Sequence, residues 1–179
     1  MDKISKENQM IKNKIQILKK KFKKFKVDGY IIPKNDEYFS EYAKNDRLKN
    51  ISNFSGSAGV AVILKKKNYL FIDGRYTIQA QQESGKNFHI IEIHKKLPNS
   101  IIKNYNLGYD PRLFTSKNIK NYFSNNNLIP INNNLIDQMF KFKERKTKPF
   151  YSLKKDIVGE THQSKILKIT NFLKSKNAD

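Results

Sequence analysis

NFSGSAG-VAVIL-KKKN-YLFI-DGRY-TIQAQQESG, residues 53–85, is the part of the chain from which the architecture can be read outward. Residues 60–64 are uninterrupted apolar and rich in β-branched side chains, the composition of a central strand buried on both faces. Residues 65–68, three lysines and an asparagine, form a turn, and 69–72 return as a second strand, so the pair is expected to be a hairpin. Asp73-Gly74-Arg75-Tyr76 then leads into a helix over 77–83 that stops near Gly85. Asp73 is placed to cap that helix, and Gly74 to supply a backbone conformation other residues resist. Gly56 and Gly59 could suggest a phosphate cradle, but no Gly-Lys-Ser/Thr follows, so they read as a turn before the buried strand.

Upstream, Ile4, Ile11, Ile15, Leu18, Phe22 and Phe25 recur at helical spacing on a lysine-rich cylinder, an amphipathic helix expected to pack on the domain's own sheet. Gly29 ends it, and Tyr30-Ile31-Ile32-Pro33 reads as a short buried strand. Asn35 or Asp36 is expected to cap a short helix over 37–42. Downstream, 88–93 reads as a strand and 107–111 as the end of another. Thr115 or Ser116 caps a helix to Phe123, 128–131 is short and extended, and 135–142 reads as helical. Strands alternating with helices around an internal hairpin give the fold class: α/β, a mixed β-sheet flanked by helices. After residues 141–149, a basic stretch ended by proline, the composition reads as a linker. From Glu160 a further amphipathic helix carries Ile166, Ile169, Phe172 and Leu173 and gives way at 175–179. Its Ile-Leu-Lys at 166–168 echoes Ile17-Leu18-Lys19, which suggests the first helix of a second, similar domain. The expected division is 1–150 and 151–179.

The 179 residues hold 36 Lys+Arg against 16 Asp+Glu, a formal charge of +20, with no cysteine. A disulfide scaffold, a zinc ribbon and a thiol nucleophile are thereby excluded. Of the basic residues 32 are Lys and four are Arg: Arg47, Arg75, Arg112 and Arg145. With 21 Asn and 22 Ile beside them, the lysines read as solvated surface, since a binder selected for bidentate phosphate or base contacts leans on arginine. An even spread of lysine fits that reading; lysines gathered on one face would favour the alternative, a basic nucleic-acid-binding module. No apolar run reaches the ~20 residues of a membrane-spanning helix, and residues 1–10 lack the apolar core of a secretory signal. The expectation is a cytoplasmic protein without a membrane partner and with nucleic acid an unfavoured one. His89, Glu92 and His94 lie on or beside one strand, where alternation keeps them from facing one side; His162 stands at a helix start.

Five blocks in order then carry a resemblance: 30–33 with Asp36 and 40–42, 54–59, 73–76 with Gln79-Ala80, 108–111, and 134–137. Together they resemble the N-terminal, creatinase-like domain of the Xaa-Pro aminopeptidases (aminopeptidase P), in the long form that places two such domains before the catalytic one. The resemblance implies the creatinase N-terminal fold and metal-dependent removal of an N-terminal residue that precedes proline. It implies two metal ions, usually manganese, held by two Asp, one His and two Glu of a C-terminal domain outside this chain, which itself would bind no cofactor or metal and be inactive alone. Implied partners are a peptide with proline at its second position, the missing catalytic domain, and a second copy in a homodimer. One residue carries over as substrate-binding: Arg75, whose counterpart in the resembled enzymes reaches toward the bound peptide. The competing reading is that Arg75 pairs with Asp73 and only fixes the loop. A stand-alone peptide binder is a further alternative. The chain departs from the family pattern where His-Gln is usual (Tyr38-Phe39), where Gly is usual (Asn53), at a late Trp (Phe140), and at an Arg-Pro pair (Arg145-Lys146).

Overall fold

A computed structural model describes residues 3–40, 42–140, 142 and 149–177. The chain divides into two compact units, Met1–Phe142 and Lys143–Asp179.

In the first unit, α1 (Lys3–Phe25) leads into β1 (Gly29–Pro33). A short α2 (Arg47–Ser52) precedes the hairpin of β2 (Gly59–Leu64) and β3 (Asn68–Ile72). A single 3-10 turn (Gly74–Tyr76) opens α3 (Thr77–Ser84), followed by β4 (His89–Glu92) and α4 (Pro98–Ile101). Then come β5 (Asn106–Tyr109), a second 3-10 turn (Pro111–Leu113), α5 (Ser116–Phe123) and β6 (Asn127–Pro130). The six strands form one mixed sheet in the order β4-β3-β2-β1-β5-β6. β2 runs antiparallel to β1 and β3, with Tyr30 opposite Ile63 and Val60 opposite Phe71. The other pairings are parallel. The carboxyl ends of five strands and the amino end of β2 therefore lie along one border of the sheet, the upper edge; the turn between β2 and β3 and the starts of the other strands form the lower edge.

Alternation sorts the strand side chains onto two cores. One face packs Tyr30, Ile32, Ala61 and Ile63 against Ile15, Leu18 and Phe22 of α1 and Leu48 and Ile51 of α2. The other packs Ile31, Val62, Phe71 and Leu107 against Ile119 and Phe123 of α5. Burial on both faces is why 60–64 is apolar at every position. The hairpin, the α1 stripe from Ile11 to Phe22 and the Thr115 cap, whose Oγ1 accepts the Asn118 N–H at 3.1 Å, all match the sequence reading.

Three expectations are corrected. The stretch 37–42 is not a helix: Asp36 Oδ1 accepts the N–H groups of both Tyr38 and Ser40 at 3.0 Å. That closes a compact loop in which Phe39 takes φ 59°; Glu41 lies outside the described residues. The helix of this region is α2, capped by Asp46, whose Oδ1 accepts the Lys49 N–H at 2.9 Å. It ends at Asn53, left-handed at φ 68°, which accounts for a Gly or Asn there. Residues 135–140 form turns rather than a helix, because Asn134 Oδ1 takes the Ile136 N–H at 2.9 Å; Lys141 lies outside the described residues. Gly74 is not at positive φ; a Cβ there would stand 3.3 Å from Glu92 Oε2, so close packing is its reason.

The second unit contains α6 (Lys155–Val158) and α7 (His162–Ser175). Thr161 Oγ1 caps α7 by accepting the Ser164 N–H at 3.3 Å. Ile166, Ile169, Phe172 and Leu173 are exposed. Of the basic stretch 141–149 the described residues are Phe142 and Pro149, so Arg145-Lys146 lie outside them, as do the terminal Ala178 and Asp179; the expected linker after Pro149 contains the short α6.

Candidate functional site

In α/β sheets ligands gather outside the carboxyl ends of strands, and at the upper edge all five sequence blocks converge. Pro33 and the 35–40 loop leave β1 there, the small-residue loop enters β2, Asp73–Tyr76 leaves β3, Asp110 leaves β5, and Asn134–Asp137 follows β6.

Asp73 caps the first 3-10 turn by accepting the Arg75 N–H on Oδ1 at 3.0 Å, and the same oxygen accepts Arg75 Nε at 2.9 Å. These bonds hold the Asp73 carboxyl down at about 2. His94 Nε2 stands 3.6 Å from Asp73 Oδ2. The Arg75 guanidinium lies over the Tyr76 ring, 5.4 Å from its centroid, and its side chain is 72% exposed. The pairing expected by the bland reading does form, yet it presents the guanidinium at the surface of the edge instead of burying it. Tyr76 is itself anchored: its hydroxyl meets Ser57 Oγ at 2.7 Å, and its ring packs edge-on against Phe54 at 5.9 Å. A Cβ at Gly56 would sit 2.3 Å from the Phe54 ring and 3.0 Å from that of Tyr76, so the small-residue loop exists to let this pair close.

Beside Asp73 a cleft of ≈ 290 Å³ opens at the strand ends. Its walls are largely apolar, among them Phe39, Phe71, Ile93 and Phe114, with Asn35, Asp73, His94 and Asn118 among the polar residues. Asn35 Nδ2 donates to the Leu113 carbonyl at 2.9 Å, tying the 35–40 loop to the turn after β5.

The other half of the edge is a buried ionic lattice that the sequence reading did not single out. Arg47, 4% exposed, donates from Nε and Nη2 to the two oxygens of Asp137 at 2.7 and 2.8 Å, and from Nη2 to Glu37 Oε1 at 2.6 Å. Burial disfavours the Arg47 cation, but these carboxylates outweigh it and raise its pKa. Asp110, fully buried, takes a bidentate contact from Arg112 at 3.1 and 2.7 Å and a bond from Asn134 at 2.9 Å. Burial opposes its ionisation, yet those donors leave its pKa below the ordinary range. Burial also pushes the Tyr30 phenol up; its oxygen accepts the Leu135 N–H at 3.3 Å. The blocks at 108–111 and 134–137 are thus two halves of one lattice. The signal for it was the scarcity of arginine: two of the four arginines, Arg47 and Arg112, stand here, each on an acid.

His89 and His94 are not brought together. His89 starts β4 at the lower edge beside Tyr69, ring centroids 5.5 Å apart, while His94 follows the strand at the upper edge. His162 opens α7. Among the described residues no group of three His, Asp or Glu side chains is placed to hold a metal ion. No helix among them is long and apolar enough to cross a membrane.

Comparison with known proteins matches residues 14–139 to the family described as the Creatinase/Prolidase N-terminal domain. The chain is 33% identical to Xaa-Pro aminopeptidase 2 of Rattus norvegicus, over 90% of this chain and 26% of that protein. It is 32% identical to the Xaa-Pro aminopeptidase ApepP of Drosophila melanogaster, over 86% of this chain and 28% of that protein. It spans about a quarter of the length of the curated relatives it matches. Among solved structures, the X-prolyl aminopeptidase of Caenorhabditis elegans, described as a cytosolic enzyme with a di-nuclear active site, superposes with a TM-score of 0.70 at 24% identity, covering 94% of this chain and 32% of that one. The N-terminal domain of the cytoplasmic peptidase PepQ from Mycobacterium tuberculosis superposes at 0.54 with 16% identity, covering 72% and 98%. These structures share the fold.

Proposed function

Given that the chain belongs to the creatinase/prolidase N-terminal domain family, we propose that it is the non-catalytic amino-terminal part of an Xaa-Pro aminopeptidase and that its upper edge forms one wall of the peptide site. The observation that carries this reading is the convergence of the five blocks on that edge, with Arg75 exposed in front of its Asp73 anchor. A guanidinium held at Nε by a carboxylate and backed by an aromatic ring has a fixed direction, which suits it to a carbonyl or carboxylate of a peptide. Arg75 is the substrate-binding residue of this reading.

Hydrolysis belongs to a catalytic domain outside this chain, which would supply two metal ions, manganese in the family resemblance, to activate water and polarise the scissile carbonyl. This chain would then orient the peptide and help enclose it, in a cytoplasmic enzyme with a second copy as partner. Residues 151–179 are the linker and first helix of a second domain of similar build.

The test uses isotope-labelled chain titrated with the peptide Ala-Pro-Phe-Leu. The expected result is shifts confined to 73–76 and the cleft, lost in Arg75→Ala, with no release of alanine when manganese is added. Metal-dependent turnover by the chain alone, or shifts that ignore Arg75, would overturn the reading.

A further inference from the structure

The two edges of the sheet differ in how their cations are partnered. At the upper edge Lys34, Arg47, Arg75, Lys95 and Arg112 sit on carboxylates, while the exposed Lys96 forms no ion pair among the described residues. At the lower edge Lys26, Lys65, Lys66, Lys67, Lys86 and Lys103 are exposed, and among the described residues the ion pair to this set is that of Asp28 with Lys65. Asp28 takes Lys65 Nζ at 2.6 Å and uses its other oxygen for the Asn106 N–H at 3.0 Å. Among the described residues no ion pair forms to the remaining five lysines. A strip of five exposed lysines along the strand starts and the β2–β3 turn thus stands without a carboxylate partner among the described residues.

The strip is concave. A depression of ≈ 510 Å³ is lined by Lys65, Lys66, Lys67, Tyr69 and Tyr105 among others. A second, of ≈ 200 Å³, shares Lys66 and Lys67 and continues to Lys86 and His89. Aromatic rings punctuate the cations: Tyr105 is 38% exposed, and Tyr69 leans on His89. Lysines that track a backbone, with rings on which bases can stack, make up the chemistry of single-strand nucleic-acid grooves.

We propose that this lower edge binds single-stranded nucleic acid, RNA or DNA, through phosphate contacts and stacking on Tyr105. An anionic membrane is the poorer fit, because a bilayer favours several protruding apolar side chains and Tyr105 is the exposed large one at the strand starts and turn that form this groove. The inference stands on the opposite edge from the peptide reading and does not depend on it.

The test is fluorescence anisotropy of the full 179-residue chain with labelled 12-mers of oligouridylate and oligothymidylate at 150 mM salt. Micromolar binding of both is expected, with a slope of log K against log salt near −3, corresponding to about four phosphates. The triple variant Lys66→Glu/Lys67→Glu/Lys86→Glu is expected to weaken binding at least tenfold. The equally charged control Lys12→Glu/Lys117→Glu/Lys120→Glu, none of whose residues lines either depression, should change it less than about threefold. Tyr105→Ala should cost about tenfold, and Tyr105→Phe should restore it. Equal losses in the two triple variants, or binding that disappears at 150 mM salt, would overturn the proposal. So would a strong preference between the two oligomers, or lower-edge-dependent binding to phosphatidylserine vesicles without oligomer binding.

Discussion

At the residue scale the informative choice is arginine against lysine. In a chain with 32 lysines and four arginines, Arg47 and Arg112 stand where a planar donor meets both oxygens of a carboxylate, which an ammonium cannot do. Arg47 is the clearest case. Arg47→Met leaves Asp137 and Glu37 facing each other without a cation, and removing one member of such a pair costs about 3 kcal/mol. Urea denaturation at pH 7 should show the unfolding free energy reduced by that amount, read as a lowered midpoint at unchanged m, and an unchanged midpoint would remove the lattice from the stability account. Asp110 sets an acid limit. Its folded pKa lies below that of the unfolded carboxyl, so its stabilisation is complete above pH ~3.9 and is lost as pH falls through the folded value. Asp110→Asn should therefore lower stability at pH 7 and narrow the gap to wild type at pH 2 to 3, as measured by urea midpoints at each pH. These roles were only half legible: Asp110 and Asp137 stood out as motif members, but nothing local joins Asp137 to an arginine ninety positions away.

At the element scale, the strands and long helices follow from periodicity because their burial is continuous, whereas the short elements turn on single polar side chains. Asp36 and Asp46 are the same residue type in similar company. Asp46 caps α2, while Asp36 closes a loop because Pro33 has just ended β1 and the chain must turn across the upper edge toward Arg47. Asn53 shows how such a position is tolerated. Its φ of 68° suits Asn or Gly, so Asn53→Gly is expected to leave the melting temperature nearly unchanged. Asn53→Val, β-branched in a left-handed position, should lose about 1–2 kcal/mol. Equal melting temperatures for the two variants would show that the left-handed end of α2 carries no strain.

At the scale of the whole molecule, the first unit contains both cores and the entire sheet, while the apolar side chains of α7 are exposed. A chain ending at Phe142 is expected to unfold cooperatively with a melting temperature within a few degrees of the 179-residue chain. Loss of cooperativity would mean that the second unit completes the fold. The amino-acid order alone determined the sheet's central hairpin and the packed face of α1, because hydrophobic spacing and turn chemistry act over a few residues, and its five motif blocks carried the family resemblance. Tertiary structure alone decided that five separated blocks share one edge, that Arg47 and Arg112 enter a buried ionic lattice there, and that the opposite edge holds lysines of which one, Lys65, pairs with a carboxylate. Those facts depend on strand direction and order, and the distances between side chains far apart in the chain are set only when the sheet closes.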